Sequence, residues 1–209
     1  MAVAARGAGS AQRILDLAER LIQVRGYNGF SYADIAQVMQ VTKASLHYHF
    51  PSKAELVRRL MLRYAQRFRA ALDEIDGRSA GAIGKLQAYV ALYTGVLADG
   101  RMCLCGMLAA EFATLPVAVR TEVTRFFDLN EAWLATVLEQ GRRAGELAFT
   151  GQPREAARLL VASLEGAMML ARTYDDVARF QEAGHRLLSG LSGKGAAAPR
   201  RRSASGAVM

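Results

Sequence analysis

Residues Ser31 to Leu56 read SYADIAQVMQVTKASLHYHFPSKAEL, and local signals place two short helices within them. Ser31 followed by Asp34 has the capping-box spacing, with Asp in place of the usual Glu or Gln, so a helix is expected from Tyr32 to about Gln40. Ala33, Ile35, Ala36, Val38 and Met39 are its apolar residues. A break around Gln40 to Lys43 follows. A second short helix is expected over Ala44 to Phe50, where Pro51 stops it. Ser52 with Glu55 repeats the capping spacing and opens a third, longer helix. Two short helices joined by a tight break, after a longer one, make a helix-turn-helix arrangement.

The signals extend outward from this stretch. From Gln12 to Arg25, the residues Ile14, Leu17, Ala18, Leu21 and Ile22 recur in steps of three and four, which marks one face of a helix. Gly26 can take the left-handed stop. Downstream, the helix that opens at Ser52 is expected to reach about Asp76 and to end at Gly77. Further helices are expected at 82–98, 101–114, 116–144, 153–174 and 176–190, with Pro116 and Pro153 where helix starts tolerate proline. No strand-like alternation and no internal repeat is visible. The fold class is therefore all-α: a three-helix domain over residues 1–51 and a larger helical domain over 52–191, with 52–76 as the connecting helix. Residues 192–209 are rich in Ala, Gly, Ser and Arg without periodicity and are expected to form a disordered basic tail.

Composition narrows the function classes. A chain of 209 residues with 52% hydrophobic and 22% charged residues is globular rather than disordered. No uninterrupted apolar run reaches the ~20 residues of a membrane span, and Met1 to Gln12 has no signal-peptide pattern. The two cysteines, Cys103 and Cys105, cannot build a disulfide framework, so a soluble protein of the reducing cytoplasm is expected. The net charge of +8 lies at the two ends. Residues 1–60 hold eight basic and four acidic side chains, 77–191 hold twelve of each, and 192–209 hold four basic and no acidic ones. A basic excess on one small module is the footprint of a phosphate-binding surface, although it also serves solubility.

On the second short helix, Leu46 and Phe50 share a face and can pack on the helix before it. The rest of the surface is small and polar. Lys43, Ser45 and His47 can donate to base edges or phosphates, and the Ala44 methyl can meet a thymine methyl. Thr42, Tyr48 and His49 can reach phosphate oxygens. Lys53 lies in the first turn of the next helix, where the dipole disfavours a cation, and a bound phosphate would cancel that cost. An ordinary three-helix packing corner is the alternative on these features alone.

The stretch Ile14 to Leu56, with its RGY element, its DIA helix, V-T-K at the turn and HYHFPSKAEL, resembles the DNA-binding domain of the TetR family of transcriptional regulators. The long fourth helix and larger helical remainder match that layout. The resemblance implies a homodimeric repressor of double-stranded DNA, bound at a palindromic operator and released when a small molecule occupies the second domain. By motif position it carries phosphate contacts to Thr42, Tyr48, His49 and Lys53, and base reading to Lys43, Ala44, Ser45 and His47. The sequence departs from the family pattern at Gln40, where glycine is common, at Ala44, where glycine is frequent, and at His47, where tyrosine is frequent. If Gln40 is left-handed, it costs about 1 kcal/mol more than glycine would.

In the second domain, Arg101 to Phe112, RMCLCGMLAAEF, resembles a subgroup whose sixth helix starts Gly-Cys-Leu. Some of its members sense electrophiles or oxidants through that cysteine, which here is Cys103. Two residues apart on a helix, Cys103 and Cys105 would face opposite sides. Reactivity needs a lowered pKa from a helix start or a cation such as Arg101. Inert packing is the other reading of a buried free cysteine. Phe68, Tyr89, Tyr93, Cys103, Met107, Phe127, Trp133, Met168 and Met169 are the candidate effector contacts, and they favour an apolar or aromatic ligand, though such stripes also build plain cores. Leu159, Leu160, Ser163, Gly166, Ala167 and Leu170, with Leu187, Leu188 and Leu191, are the expected dimer face, two copies making a four-helix bundle.

An enzyme is disfavoured: there is no metal-ligand spacing, no Gly-rich phosphate loop and no GxSxG elbow. No cofactor is expected. His185, far from His47 and His49, reads as a surface or capping residue. A helical dimer without DNA binding would show an eroded recognition helix, whereas Lys43, Tyr48 and Lys53 remain. Non-specific DNA compaction is a third reading, favoured by Arg200 to Arg202.

Overall fold

A computed structural model describes residues 2–79 and 81–192. Among the described residues the regular structure is helical. In chain order the helices are α1 Ala2–Arg25, α2 Tyr32–Met39, α3 Lys43–His49, α4 Lys53–Arg78, α5 Ala82–Ala98, α6 Leu104–Ala110, α7 Val117–Arg143, α8 Pro153–Thr173 and α9 Val177–Leu191, with a 3-10 turn at Phe112–Thr114. The all-α class is as the periodicity indicates. No helix among the described residues is long and apolar enough to cross a membrane.

Local chemistry explains most boundaries. Ser31 Oγ accepts the Ala33 N–H at 3.2 Å, and Asp34 Oδ2 accepts the Ser31 N–H at 2.7 Å, so the capping box closes with Asp in the reciprocal position. At α4 only half of the second box forms. Ser52 Oγ accepts the Glu55 N–H at 3.2 Å, but the Glu55 carboxylate turns to Arg58 at 2.9 Å and Arg59 at 2.8 Å. Three charge-assisted bonds from these two arginines outcompete one backbone N–H. Those bonds, Arg58 first and then Arg59, hold the Glu55 carboxyl down at about 2.

Four boundaries differ from expectation. The first helix begins at Ala2 rather than Gln12, because an alanine-rich stretch propagates a helix without an apolar face. The fourth continues through Gly77 to Arg78, where Ser79 N–H donates to Ile75 O at 3.0 Å. The segment 101–114 is not one helix. Arg101 is held by Asp99 and Gln23, and the Met102 N–H donates to Gln23 O at 3.2 Å, so α6 starts only at Leu104. Ser192 is ordered rather than part of a tail: it bridges to Leu147, beside an Ala148 N–H to Leu191 O bond of 2.8 Å. The rest of that tail, 193–209, lies outside the described residues.

The N-terminal helices close over Ile14, Ala18, Ile22, Ile35, Leu46, Phe50 and Leu56, all buried. The larger part packs α7 on α8, α8 on α9 and α4 on α7, around Tyr89, Phe126, Leu134, Leu164, Met168 and Phe180. The two parts meet at the end of α1. Arg172, on α8, donates to Gln23 O at 2.9 Å and to Val24 O at 2.6 Å. Those carbonyls are among the ones that a helix C-terminus leaves unbonded.

Candidate nucleic-acid interface

The turn between α2 and α3 sets the pitch of α3. Gln40 is left-handed, at φ 55° and ψ 43°. Thr42 caps α3, its Oγ1 accepting the Ser45 N–H at 3.2 Å, which leaves the hydroxyl hydrogen to donate outward. Leu46 and Phe50 are buried at 1% and 2% exposure, and the Tyr32 hydroxyl donates to Phe50 O at 2.7 Å. One face of α3 is therefore fixed. The other presents Lys43, Ala44, His47 and Tyr48 to solvent, with Ser45 and His49 half-buried. Tyr48 is 86% exposed, and the ring contact it makes is edge-on to His49, at 5.3 Å between centroids.

Two side chains behave differently from expectation. His47 Nδ1 lies 3.1 Å from Pro51 O, and its ring sits 4.8 Å from that of Tyr32. A carbonyl only accepts, so Nδ1 carries the proton. In the neutral ring, Nε2 is then an outward acceptor rather than the donor expected. Lys53 is turned into the protein. Its ammonium donates to Phe30 O and lies 4.5 Å and 4.4 Å from the centroids of Tyr27 and Phe30. Burial lowers its pKa. Its place in the first turn is thus explained by a carbonyl and two aromatic faces, and no phosphate is needed to account for it.

The chain matches the family model "Bacterial regulatory proteins, tetR family" over residues 14–60 and "Tetracyclin repressor-like, C-terminal domain" over residues 82–187. It belongs to the TetR family. The HTH-type transcriptional repressor DhaR of Mycobacterium sp. (strain GP1) is 26% identical over 159 residues, covering 76% of this chain and 80% of DhaR. The repressor NemR of Escherichia coli (strain K12) is 27% identical over 167 residues, covering 77% of this chain and 83% of NemR. A TetR-family regulator from Agrobacterium tumefaciens superposes with a TM-score of 0.86 at 38% identity, over 89% of this chain and 99% of that one. The protein is accordingly a DNA-binding transcriptional regulator, of a family whose members form dimers.

In the second domain of this TetR-family chain, four of the expected effector contacts meet. Phe68, Tyr93, Cys103 and Met168, with Tyr64, Leu92 and Val96, surround a cavity of only about 10 Å³. Tyr89 stands behind it, donating to Asn130 Oδ1 at 2.7 Å and lying 3.1 Å from the Tyr93 hydroxyl. Trp133 stacks on Tyr89 at 5.7 Å, but its indole N–H is tied to Asp76 at 2.9 Å, and it lines a separate groove with Leu72 and Ala132. Phe127 packs edge-on against Phe126. Met107 lies at the α6–α8 joint, with Sδ 3.9 Å from Arg172 Nη1. Met169 faces solvent at 55% exposure. A separate cavity of about 630 Å³ opens between α5 and α9, lined by Val90, Thr94, Gln181, His185 and Leu188 among others.

Cys103 is the N-cap of α6 at φ −51° and ψ 127°, not a residue inside the helix. Its side chain is therefore re-aimed to cap the helix, Sγ accepting the Gly106 N–H at 3.5 Å, and the Cys105 thiol acts on it instead of facing away. Both cysteines are buried and free. The Cys105 hydrogen bond pulls the Cys103 pKa down, but burial and the Glu165 carboxylate push it further up, so the net shift is upward. Arg101 gives no help, being occupied by Asp99 and Gln23. The thiol is thus not the ready thiolate that a helix start and a cation would make. On α8, Leu159 and Leu170 are exposed at 65% and 60%, but Leu160 is buried at 4% and belongs to the core. One residue along a helix is a turn of about 100°.

Sequence reasoning passed over three groups. Glu111, at the end of α6, accepts the N–H groups of Tyr27 and Asn28. Arg172 holds the end of α1. Glu165 lies buried behind Cys103. Glu165 alone left a trace: it follows Val161 by four in the apolar stripe Ala157, Val161, Leu164, Met168, Ala171, where a carboxylate is out of place. Among the described residues no cluster of three His, Cys, Asp or Glu stands ready to hold a metal.

Proposed function

We propose that the protein is a homodimeric, cytoplasmic repressor released from a palindromic operator by a small, mainly apolar or electrophilic effector. On this reading residues 1–51 bind DNA, 52–76 connect, and 52–191 as a whole bind effector and partner. Lys43, Ala44, Ser45 and His47 read bases, and Thr42, Tyr48 and His49 hold phosphates. Lys53 serves the same surface by fixing the Tyr27–Phe30 turn rather than by gripping a phosphate. The effector enters among Phe68, Tyr93, Cys103 and Met168, with Tyr89 behind; Met107, Phe127 and Trp133 act as neighbours. The exposed Leu159 and Leu170 and the half-buried Ser163, Gly166 and Ala167 on α8, with Leu187, Leu188 and Leu191 on α9, make the dimer face.

The observation that carries this reading is the course of α6. It is capped at its start by Cys103, on the aromatic cavity, and at its end by Glu111, whose carboxylate grips the turn after α1. An occupant that shifts α6 must therefore change the seating of the first domain. A tenfold loss of DNA affinity takes only about 1.4 kcal/mol of differential binding. A gel shift on the protein's own upstream DNA, with and without hydrophobic compounds and thiol reagents, tests it. The expected result is a retarded band that such compounds release. A band indifferent to every apolar and electrophilic compound would overturn the effector reading.

A further inference from the structure

The two ring nitrogens of His47 are committed unequally. Nδ1 lies 3.1 Å from Pro51 O, and because a carbonyl oxygen only accepts, Nδ1 carries the hydrogen. Nε2, on the far edge of the ring, has no hydrogen-bond partner among the described residues. A flip of the ring by half a turn would put a C–H where that N–H stands and forfeit the bond to Pro51. The ring also rests against Tyr32, 4.8 Å between centroids at 53°. Tyr32 is itself fixed, being buried and donating its hydroxyl hydrogen to Phe50 O at 2.7 Å. The helix beneath is held by Leu46 and Phe50, both buried. Beside the ring, Ala44 is exposed and offers only a methyl group, so nothing bulky stands between the free edge of the imidazole and a groove floor. The neutral ring is therefore an acceptor aimed outward in one direction.

We propose, resting on the base-reading role given to His47 above, that Nε2 accepts a hydrogen bond from an exocyclic amino group in the major groove, N6 of adenine or N4 of cytosine. The chemistry of the base edges leaves no other hydrogen-bond partner. Adenine and cytosine present N–H donors there, whereas guanine presents N7 and O6 and thymine presents O4, all acceptors. A lone pair set against one of those acceptors is repelled, and both groups lose water without replacement. The bond to Pro51 thus settles the tautomer, and the tautomer settles which bases are admitted. Tyrosine, frequent at this position in the family, carries a hydroxyl that donates or accepts, so it does not discriminate in this way. Lys43, exposed one turn earlier on the same helix, only donates and suits the acceptors of guanine. The two neighbours therefore select bases in opposite senses.

The full-length protein is used to select its preferred duplex from a random pool, and binding is then read by fluorescence anisotropy on analogues of that duplex. Each adenine is replaced in turn by purine, which lacks the 6-amino group, and each cytosine by 2-pyrimidinone, which lacks the 4-amino group. Each analogue weakens its base pair equally for every protein tested, so a difference between proteins isolates the contact. At one position in each half-site, the deletion is expected to weaken wild type about fivefold and to leave His47→Ala unchanged. Whether purine or 2-pyrimidinone does so distinguishes adenine from cytosine. His47→Tyr is expected to bind the selected duplex and to lose the rejection of guanine and thymine at that position. Wild-type binding that no amino deletion weakens would overturn the proposal, and that result does not depend on how a variant folds. So would a coupling of His47 to 7-deazaguanine, which lacks N7, or to deoxyuridine, which lacks the thymine methyl, because Nε2 would then donate or the ring would make an apolar contact. The base-reading role would survive that result. A His47→Ala protein that loses affinity evenly on every analogue would contradict the base-reading role itself.

Discussion

The Glu111 carboxylate accepts the backbone N–H of Tyr27, tying the end of α6 to the turn that leads into the helix-turn-helix. The same carboxylate accepts Asn28 N–H at 3.2 Å, and the Asn28 side chain reaches back to Thr114 at 2.8 Å. Gly26, at φ 81°, leaves the room: a methyl group there would stand 2.7 Å from Glu111 Oε2. Glu111→Ala strands these N–H groups and is expected to cost about 1–3 kcal/mol. Thermal unfolding is expected to fall by ~2–4 °C per kcal/mol lost. DNA affinity measured alongside is expected to fall with it, because the turn that seats α2 is released.

Gln40 occupies a left-handed position that glycine adopts freely. Its N–H still caps α2, so Gln40→Gly keeps the hydrogen bonds and removes the steric cost. A gain of about 1 kcal/mol is expected, seen as a midpoint in denaturant that rises with no change in slope.

Lys53 and Lys43 separate packing from phosphate contact. Lys53→Ala removes a bond to Phe30 O and a cation from two rings. It is expected to lower the unfolding temperature while leaving the salt dependence of DNA binding unchanged. Lys43 is exposed at the start of α3. Lys43→Ala is expected to reduce the slope of log affinity against log salt by about 1. Binding isotherms at several salt concentrations check both.

Two carboxylates respond to pH with opposite sign. Glu55 sits at about 2 in the fold against 4.5 for an ordinary glutamate. Its pairing with Arg58 and Arg59 therefore stabilises above pH 4.5 and is lost as pH falls toward 2. Glu165 is raised by burial, so the fold favours its protonated form. Stability is full below pH 4.5 and declines as pH rises through the folded value. Glu55→Gln is expected to flatten the acid limb of the melting-temperature profile. Glu165→Gln is expected to raise the melting temperature at neutral pH and to match wild type near pH 4.

What the sequence made legible follows from the range of each signal. Caps, periodicity and turn chemistry act over a few residues, so Ser31, Asp34, Gly26 and the buried pair Leu46 and Phe50 could be placed in advance. Side-chain commitments across the chain have no local signature. Lys53 faces Tyr27 and Phe30 because the turn brings them beside it, and the dipole argument that pointed outward had no knowledge of that carbonyl. Cys103 and Cys105 meet because a backbone bend precedes α6, whereas helix geometry alone separates them. Glu111, Glu165 and Arg172 act on partners distant in sequence. Their roles exist only once the helices pack.

The central claim is that α3 enters duplex DNA with its exposed face. Fluorescence anisotropy on a palindromic fragment from the protein's own upstream region, read for wild type and His47→Ala on matched base substitutions, tests it most directly. Wild type is expected to bind in a salt-sensitive manner, and His47→Ala is expected to change the base preference at the position its Nε2 reads. Absence of salt-dependent binding to any such fragment, or an identical base preference in the two proteins, would contradict it.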